Sequence, residues 1–501
     1  MLDQILLGTR VILQPANLLF CFIGAVIGTI VGVLPGIGPL GALSILLPAT
    51  FRMTPVESIV MFAGVYYGAM YGGSTTSILL NIPGETASIV TCLDGYQMAR
   101  QGRAGPALGM SAMGSFIGGT VSILLTMLLA IPIINIALKF SAPEYFSLMV
   151  LGIVLLTFLS SKSMTKSLIV AIFGIFLGTI GTDPVEGLTR FTFKTSTLLD
   201  GLNVVPVAMG LFGIAELLTN IESGVSVDVF EAKIGRVLPS LQDWMEAKWA
   251  IVRGTFLGFV LGVIPGGGSI LASFVSYAVE KKVSKHPERF GKGAIEGVAG
   301  PETANNAGAQ ASFIPLLTFG IPSNVVTAIL LSAFMIHGLT PGPLLLKQNP
   351  DVFWGLIMSM YVGNIMLLIL NLPLIGVWVK VLKIPYVILF PIIILFCLVG
   401  AYSVNNDVND ILILIIFGLI GYLMKKFDYD AAVLVLALVL GPMIEKALRQ
   451  SLIMYRGSLS VFVYRPISLG LLLLALALVV YPMIPKRKGL SLAGKGSSEG
   501  V

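Results

Sequence analysis

The sequence predicts an all-α polytopic membrane protein, and three observations carry that prediction. Hydrophobic residues make up 56% of the 501 residues and charged residues only 11%, whereas an ordinary soluble domain carries about 25% charged residues. Long stretches, such as Asn17 to Phe51 and Thr303 to Leu346, contain no Asp, Glu, Lys or Arg. These stretches are continuously apolar rather than alternating, which excludes a membrane β-barrel. Since a membrane helix needs about 20 apolar residues, we expect about 10 to 14 membrane segments, some of them broken.

An internal repeat divides the chain into two halves. Gly28 to Ala42 (GTIVGVLPGIGPLGA) matches Gly258 to Ala272 (GFVLGVIPGGGSILA) at seven of fifteen positions without gaps. A looser match follows between Gly72 to Thr86 (GGSTTSILLNIPGET) and Gly308 to Asn324 (GAQASFIPLLTFGIPSN). We call the first feature of each half the Pro-Gly-x-Gly element and the second the Ile-Pro element. Each half therefore has two helix-breaking points inside hydrophobic sequence.

The repeat and the charges together predict how the chain is organised. Lys486, Arg487 and Lys488 follow the last apolar stretch and predict a cytoplasmic C-terminus, because cytoplasmic loops favour Lys and Arg. For the same reason the net charge of +6 does not indicate nucleic-acid binding. The predicted divisions are a first transport repeat (1–220), a polar connector (221–250), the core of the second repeat (251–350), further membrane helices (351–485) and a cytoplasmic tail (486–501).

The paired breaks indicate a transport site. Proline removes a backbone donor and glycine leaves the backbone exposed, and in lipid such a break persists only where protein or a water-filled cavity satisfies it. Secondary transporters use broken helices in this way, with half-helix N-termini facing an anionic substrate and free carbonyls holding a cation. Structural kinking is the alternative interpretation, but a duplicated break favours transport.

Polar side chains accompany the Ile-Pro elements. Hydroxyls and amides can bind carboxylate oxygens or a hard cation, although small polar residues also pack membrane helices together. Function is favoured for Asn305 and Asn306, which lie beside Glu302. Glu302 itself is interpreted either as an intramembrane functional carboxylate or as part of a helix N-terminus near Pro301. His337 fits proton coupling or, more simply, packing.

These same stretches carry a family resemblance. They are GVLPGIGPLGALSILLP (Gly32 to Pro48), YGGSTTSILLNIPGE (Tyr71 to Glu85), GVIPGGGSILASFVSYAVEKK (Gly262 to Lys282) and GVAGPETANNAGAQASFIPLLTFGIPSN (Gly297 to Asn324). Over nearly its whole length the chain resembles the large membrane subunit of the tripartite tricarboxylate transporter family. The resemblance implies a prokaryotic inner-membrane, ion-coupled importer of citrate-like di- or tricarboxylates. It also implies inverted repeats with re-entrant hairpins, a small membrane subunit and an extracytoplasmic solute-binding protein as partners.

The resemblance places the substrate and cation site on residues of all four breaks. Sodium or a proton is the expected coupling ion, and no other cofactor is expected. The residues are Gly36, Gly38, Ser74, Thr75, Thr76, Asn81, Gly266, Gly267, Gly268, Ser269, Asn305, Asn306, Ser323 and Asn324.

Other function classes are less well supported. A channel would need a pore ring with oligomeric symmetry, and an internal two-fold repeat argues against one. An enzyme would need a nucleophile–base or metal constellation, but the chain has only two histidines and three widely separated cysteines. No phosphate-binding loop is present. A transporter or channel for a different small organic or inorganic anion remains an open alternative.

Overall fold

The computed structural model describes residues 2–34, 38–159, 163–183, 186–223, 235–264, 268–382 and 386–480, and nearly all of this is helical, which confirms the all-α prediction. The first half contains α1 (Leu2–Ile12), α2 (Pro15–Val33), α3 (Gly38–Leu46), α4 (Pro55–Leu80), α5 (Ile89–Met98), α6 (Ala104–Ala137), α7 (Ala142–Leu159), α8 (Met164–Gly178), α9 (Val204–Ala208) and α10 (Ala215–Ser223). A short hairpin pairs β1 (Gly181–Thr182) with β2 (Thr189–Arg190).

The second half contains thirteen further helices within the described residues. They are α11 (Leu241–Val263), α12 (Gly268–Val283), α13 (Glu296–Ala311), α14 (Phe313–Phe319), α15 (Val325–Ile336), α16 (Leu345–Gln348), α17 (Pro350–Asn371), α18 (Ile375–Val381), α19 (Tyr386–Asn405), α20 (Val408–Lys426), α21 (Ala431–Met454), α22 (Val461–Tyr464) and α23 (Pro466–Val480). Short 3₁₀ segments (Leu47–Arg52, Thr86–Ser88, Ser196–Leu198, Pro287–Arg289) and π segments (Ala99–Arg103, Met209–Ile214) complete the helical chain.

Many of these helices suit a lipid bilayer. Within the described residues, six are long and apolar enough to cross one: Pro15–Val33, Thr86–Ala137, Val204–Glu222, Pro350–Asn371, Val408–Lys426 and Ala431–Met454. Shorter apolar helices, α8, α15 and α23 among them, accompany these six. Leu412, Ile415 and Leu419 of α20 are each about half exposed, as expected for side chains that meet lipid. The chain is a polytopic membrane protein, and the number of segments stays a prediction.

The predicted domain boundaries can be placed on these helices only in part. The polar connector, predicted as 221–250, overlaps the end of α10 and the start of α11. Its residues 224–234 and the predicted cytoplasmic tail, 486–501, lie outside the described residues.

The two Pro-Gly-x-Gly elements interrupt their helices in the same way. Leu34 after α2 and Ile264 after α11 are both extended, with φ/ψ of −87°/109° and −76°/124°. The next helices begin at Gly38 and Gly268, whose φ values are +62° and +58°. Glycine adopts this left-handed conformation without the steric cost that a Cβ brings.

The two Ile-Pro elements also share one backbone path. Asn81 after α4 and Gly320 after α14 are left-handed, with φ of 59° and 71°. Four residues later, Glu85 and Asn324 are extended, with φ/ψ of −149°/166° and −153°/176°, and each caps the helix that follows. Glu85 in the first half therefore holds the position that Asn324 holds in the second.

Glycines bring the helices of each half into close parallel contact. Gly24, Gly28 and Gly32 of α2 lie in order against Met61, Val65 and Ala69 of α4, and Gly254, Gly258 and Gly262 of α11 lie in order against Gly300, Ala304 and Gly308 of α13. Residue numbers increase in the same direction along both helices of a pair, so each pair is parallel. The chain between them, through α3 or α12, therefore returns toward the end from which α2 or α11 started.

The two halves meet in the opposite sense. Ser74, late in α4, hydrogen bonds with Glu302, early in α13. Tyr66, earlier in α4, packs against Phe313 of α14, with ring centroids 6.1 Å apart. This antiparallel contact supports an inverted relation between the halves, which stays a prediction.

We predict that Gly258→Ala destabilises the protein by about 1–3 kcal/mol, because overpacking a tight contact costs about that much. A Cβ on Gly258 would overlap the Ala304 carbonyl oxygen and lie 2.8 Å from the Ala307 Cβ. The matched control is Gly470→Ala in α23, where a Cβ meets nothing within 4 Å. Thermal unfolding of both variants in detergent checks this, and equal midpoints would contradict the close contact.

Candidate functional site

Glu302 lies at the centre of the contact between the two halves. It is fully buried inside α13, which begins at Glu296 and continues through Pro301. The interpretation of Glu302 as part of a helix N-terminus near Pro301 is therefore wrong, because the helix starts six residues earlier. Its carboxylate instead faces the other half of the molecule.

Two hydroxyls of the first half bind the Glu302 carboxylate. The Ser74 hydroxyl of α4 donates to Oε2 at 2.5 Å, and the Thr91 hydroxyl of α5 donates to Oε1. Ser111 of α6 lies beside the same carboxylate. Among the described residues, no Lys, Arg or His pairs with it. An intramembrane carboxylate with only hydroxyl partners is a functional candidate.

A second buried carboxylate, Glu85 of the first half, contacts α13 about one helical turn after Glu302. Asn305 donates from Nδ2 to Glu85 Oε1 at 3.2 Å, and the Ala87 backbone N–H donates to Oε2 at 2.6 Å. Glu85 thus caps the short helical segment that follows the first Ile-Pro element. α13 therefore carries one carboxylate, Glu302, and binds the other, Glu85, through Asn305.

Three amide side chains of α13 have oxygen atoms that accept no hydrogen bond. Asn306 donates from Nδ2 to the Ser115 hydroxyl of α6 at 2.7 Å and to the Glu302 carbonyl at 3.2 Å. The side-chain oxygens of Asn305, Asn306 and Gln310 have no hydrogen-bond partner, although all three residues are buried. Buried oxygens that accept nothing from the protein suit a cation or a donor from outside the chain.

The second Ile-Pro element forms a separate polar group around Tyr66. Asn324 caps α15 through Thr327 and donates from Nδ2 to the Tyr66 hydroxyl at 3.2 Å. Ser269 of α12 lies beside the same hydroxyl. A Cβ on Gly268 would lie 3.4 Å from Asn324 Nδ2. The N-termini of α12 and α15 therefore meet next to a tyrosine hydroxyl.

Several predicted site residues fall into these two groups. Ser74, Asn305 and Asn306 surround the two carboxylates, and Gly268, Ser269 and Asn324 surround Tyr66. Others have roles in packing. Thr76 donates to the Val33 carbonyl at 2.6 Å, which ties α4 to the end of α2. Ser323 donates to the Ser312 carbonyl at 2.8 Å.

The other predicted residues are not brought into these groups. Asn81 is exposed and ends α4. Gly38 begins α3, and a Cβ there would meet nothing within 4 Å. Thr75 is buried in α4 and lines a small cavity. The glycines Gly36, Gly266 and Gly267 lie outside the described residues.

Sequence reasoning missed several members of these two polar groups. Ser111 and Ser115 lie four residues apart in α6, and Tyr66 and Thr91 lie in α4 and α5. A repeat of serines at helical spacing inside an uncharged stretch was a usable signal for the first two. Nothing local marks Thr91, because its role depends only on which helix it meets.

A third buried carboxylate, Asp94, fastens the two halves at the end where α13 begins. Its Oδ1 accepts from the backbone N–H groups of Gly291, Gly293 and Ala294, each at 2.8 Å. The Tyr277 hydroxyl of α12 donates to Oδ2 at 2.9 Å. Four donors satisfy Asp94 fully, so it differs from Glu302 and is structural.

The chemistry of the site is that of oxygen ligands and hydrogen-bond donors. Among the described residues, no group of three His, Cys, Asp or Glu could hold a metal ion. Hydroxyls, amides and helix N-termini can bind a carboxylate, and carboxylate, hydroxyl and amide oxygens can bind a hard cation.

Known protein sequences are similar to this chain over most of its length. The profile described as the tripartite tricarboxylate transporter TctA family matches residues 18–436. An uncharacterised 52.8 kDa protein of Agrobacterium vitis, from the TAR-I ttuC' 3' region, is 49% identical over 485 residues, which is 97% of each chain. An uncharacterised protein from the TAR-II ttuC' 3' region is 53% identical over 228 residues, covering 46% of this chain and 94% of its own. No solved structure matches the chain.

We predict that Asn324→Ala lowers the stability of the protein by about 1 kcal/mol, the usual cost of losing an N-cap. The matched control is Asn81→Gly at the first Ile-Pro element, because glycine keeps the left-handed conformation and Asn81 is exposed. Thermal unfolding in detergent compares the two variants. A larger loss of stability for Asn81→Gly than for Asn324→Ala would contradict the assignment of Asn324, and not Asn81, to the polar group around Tyr66.

Proposed function

Since the chain belongs to the tripartite tricarboxylate transporter TctA family and is a large membrane subunit of that kind, we propose that it imports small di- or tricarboxylates, such as citrate, driven by a cation gradient. The family is a transporter family, and we assign no catalytic role to the chain. An extracytoplasmic solute-binding protein would deliver the substrate, and a small membrane subunit would complete the complex in a prokaryotic inner membrane.

One observation carries the carboxylate part of the proposal. In the first half, the N-terminus after the Ile-Pro element is already occupied by the Glu85 carboxylate, which accepts the Ala87 N–H. In the second half the equivalent position is held by the neutral Asn324. The Asn324 side-chain oxygen caps this second N-terminus without a negative charge, so a substrate carboxylate can supply the charge that Glu85 supplies in the first half.

The surroundings of Asn324 favour an anion. The N-terminus of α12 at Gly268 meets the N-terminus of α15, and each helix N-terminus carries a partial positive charge. The Tyr66 and Ser269 hydroxyls add donors. We therefore place one substrate carboxylate between Gly268, Ser269, Asn324 and Tyr66.

The distribution of charge supports an orientation for this complex. Lys425 and Lys426 at the end of α20 pair with Glu216 and Glu222 at 2.7 Å, and a Lys-rich end is expected in the cytoplasm. At the start of α20, the Thr197 hydroxyl donates to Asp407 at 2.9 Å. The Asn409 backbone N–H and the Thr197 hydroxyl lower the pKa of Asp407.

The loop that carries Thr197 would therefore face the solute-binding protein. A cavity of about 320 Å³ opens there. Arg190 and Arg449, both ion-paired with Glu445, line it together with the buried Asp183. A surface with fixed charges of both signs suits a reversible protein partner.

We predict that Asn306→Ala abolishes uptake while leaving normal amounts of protein in the membrane, because Asn306 joins α13 to Ser115 of α6. The measurement is uptake of radiolabelled citrate by proteoliposomes that contain the chain and both partner subunits, under an inward sodium or proton gradient. The matched control is Asn17→Ala, another buried amide, which donates to the Val11 carbonyl at the start of α2.

Uptake measurements can also contradict the proposed import function. Wild-type vesicles that take up no di- or tricarboxylate under either gradient would contradict it, and uptake of another anion would favour the alternative substrate class. Normal uptake by Asn306→Ala would place the site elsewhere in the chain.

A further inference from the structure

We propose that a small cavity beside Glu302 binds the coupling ion, and that this ion is sodium. This inference rests on the proposed function, because it names the ion that drives uptake. It assigns to Glu302 the charge that balances the ion. It also assigns a ligand, Asn371, from the part of the chain that follows the second repeat.

The cavity lies where three helices meet. Its volume is about 10 Å³, which is room for about one water molecule or one small ion. Residues of α4, α6 and α17 line it: Tyr71, Ser74, Thr75, Leu108, Ser111, Ala112 and Asn371. Ser74 and Ser111 are also the hydroxyls beside the Glu302 carboxylate. The cavity and the carboxylate therefore share two side chains.

The charge of Glu302 is not neutralised by the described protein. The ionisable side chains that face it are Glu85, Tyr71 and Cys92, and none of them is a cation. Arg253, a basic side chain of the neighbouring α11, is already paired with Glu280 at 2.5 Å. Hydroxyls alone do not balance the charge of a buried carboxylate, which is costly, so a cation next to it would stabilise it.

Asn371 supplies a second, independent sign of a ligand. It is 3% exposed, and its side-chain Oδ1 has no hydrogen-bond partner. Its Nδ2 donates to the Leu367 carbonyl at 3.0 Å, which fixes the orientation of the amide and leaves the oxygen for the cavity. An amide oxygen, hydroxyl oxygens and a carboxylate form the ligand set of a hard cation.

The Ser74 hydroxyl can accept the ion because its proton has a second acceptor in reach. The Ser74 hydroxyl lies 2.5 Å from Glu302 Oε2 and 3.2 Å from the Met70 carbonyl. When a cation balances Glu302, the Ser74 proton can turn to Met70 and leave a lone pair for the ion. A proton on Glu302 would instead leave the Asn371 oxygen unpaired, which is why sodium fits better.

Binding at this cavity would connect the ion to the substrate region. Glu302 and Asn306 are on α13, which continues through α14 into the Ile-Pro element that ends at Asn324. An ion held by α4, α6 and α17 beside Glu302 would fix α13 against the first half. The N-terminus of α15 would then be held in place for the substrate.

Sodium-dependent thermal unfolding of the purified chain in detergent tests the inference without partner subunits or substrate. Sodium chloride, compared with choline chloride at equal ionic strength, is expected to raise the unfolding temperature of the wild type. Asn371→Leu and Glu302→Gln should weaken apparent sodium affinity by about tenfold or more, since loss of even an outer-shell partner of a metal ion typically costs that much. Both replacements keep the size of the side chain, and Glu302→Gln removes an unbalanced charge, so it should fold.

Matched serines in one helix provide the control. Ser111→Ala should weaken the sodium response, and Ser122→Ala should leave it unchanged, because Ser122 is buried in the same helix but donates to the Ala307 carbonyl. This pair decides the matter even if the Glu302 variant fails to fold.

Two outcomes would overturn the inference. A sodium response that persists in the Asn371, Glu302 and Ser111 variants would place the ion elsewhere. An absent sodium response, with a stability that instead depends on pH through Glu302, would identify a proton as the ligand. Carboxylate uptake by the full complex is measured separately, so either outcome leaves the proposed import function standing.

Discussion

The interruption of membrane helices is the constraint on which the rest of this structure depends. Every break frees backbone groups that lipid cannot satisfy, so the four breaks must be enclosed by other helices. The glycines of α2 and α11 allow that enclosure, because α4 and α13 approach them at backbone distance. Close packing of small residues and the polar interior are therefore two results of one requirement.

α13 makes the central polar contacts between the two halves. Its polar residues alternate between partners: Glu302 accepts from α4 and α5, Asn305 donates to Glu85, and Asn306 donates to α6. Partners on the neighbouring helices stabilise these buried polar groups in a membrane, whereas the side-chain oxygens of Asn305, Asn306 and Gln310 have none. Any movement of α13 would change all of these contacts together, which is what coupling between an ion and a substrate requires.

The equivalent breaks differ where their chemistry matters. Asn81 and Gly320 follow the same backbone path, as do Glu85 and Asn324, yet one half ends in a carboxylate and the other in an amide. The backbone geometry is nearly the same, but one N-terminus carries a carboxylate and the other a neutral amide, which makes the two N-termini unequal toward an anion. The asymmetry of the site thus arises from single substitutions within a shared backbone.

The sequence by itself determined the all-α membrane class and the positions of the breaks, because hydropathy, proline and glycine act locally. The family resemblance placed Ser74, Ser269, Asn305, Asn306 and Asn324 in the site, and that placement stays a prediction. Of the two interpretations of Glu302 from the sequence, the helix start is wrong, and the sequence could not identify Thr91, Tyr66 or Asn371. Those roles depend on which helices meet, at separations of hundreds of residues in the chain. Only the tertiary structure decided them, since burial and missing partners are properties of contacts and not of the local sequence.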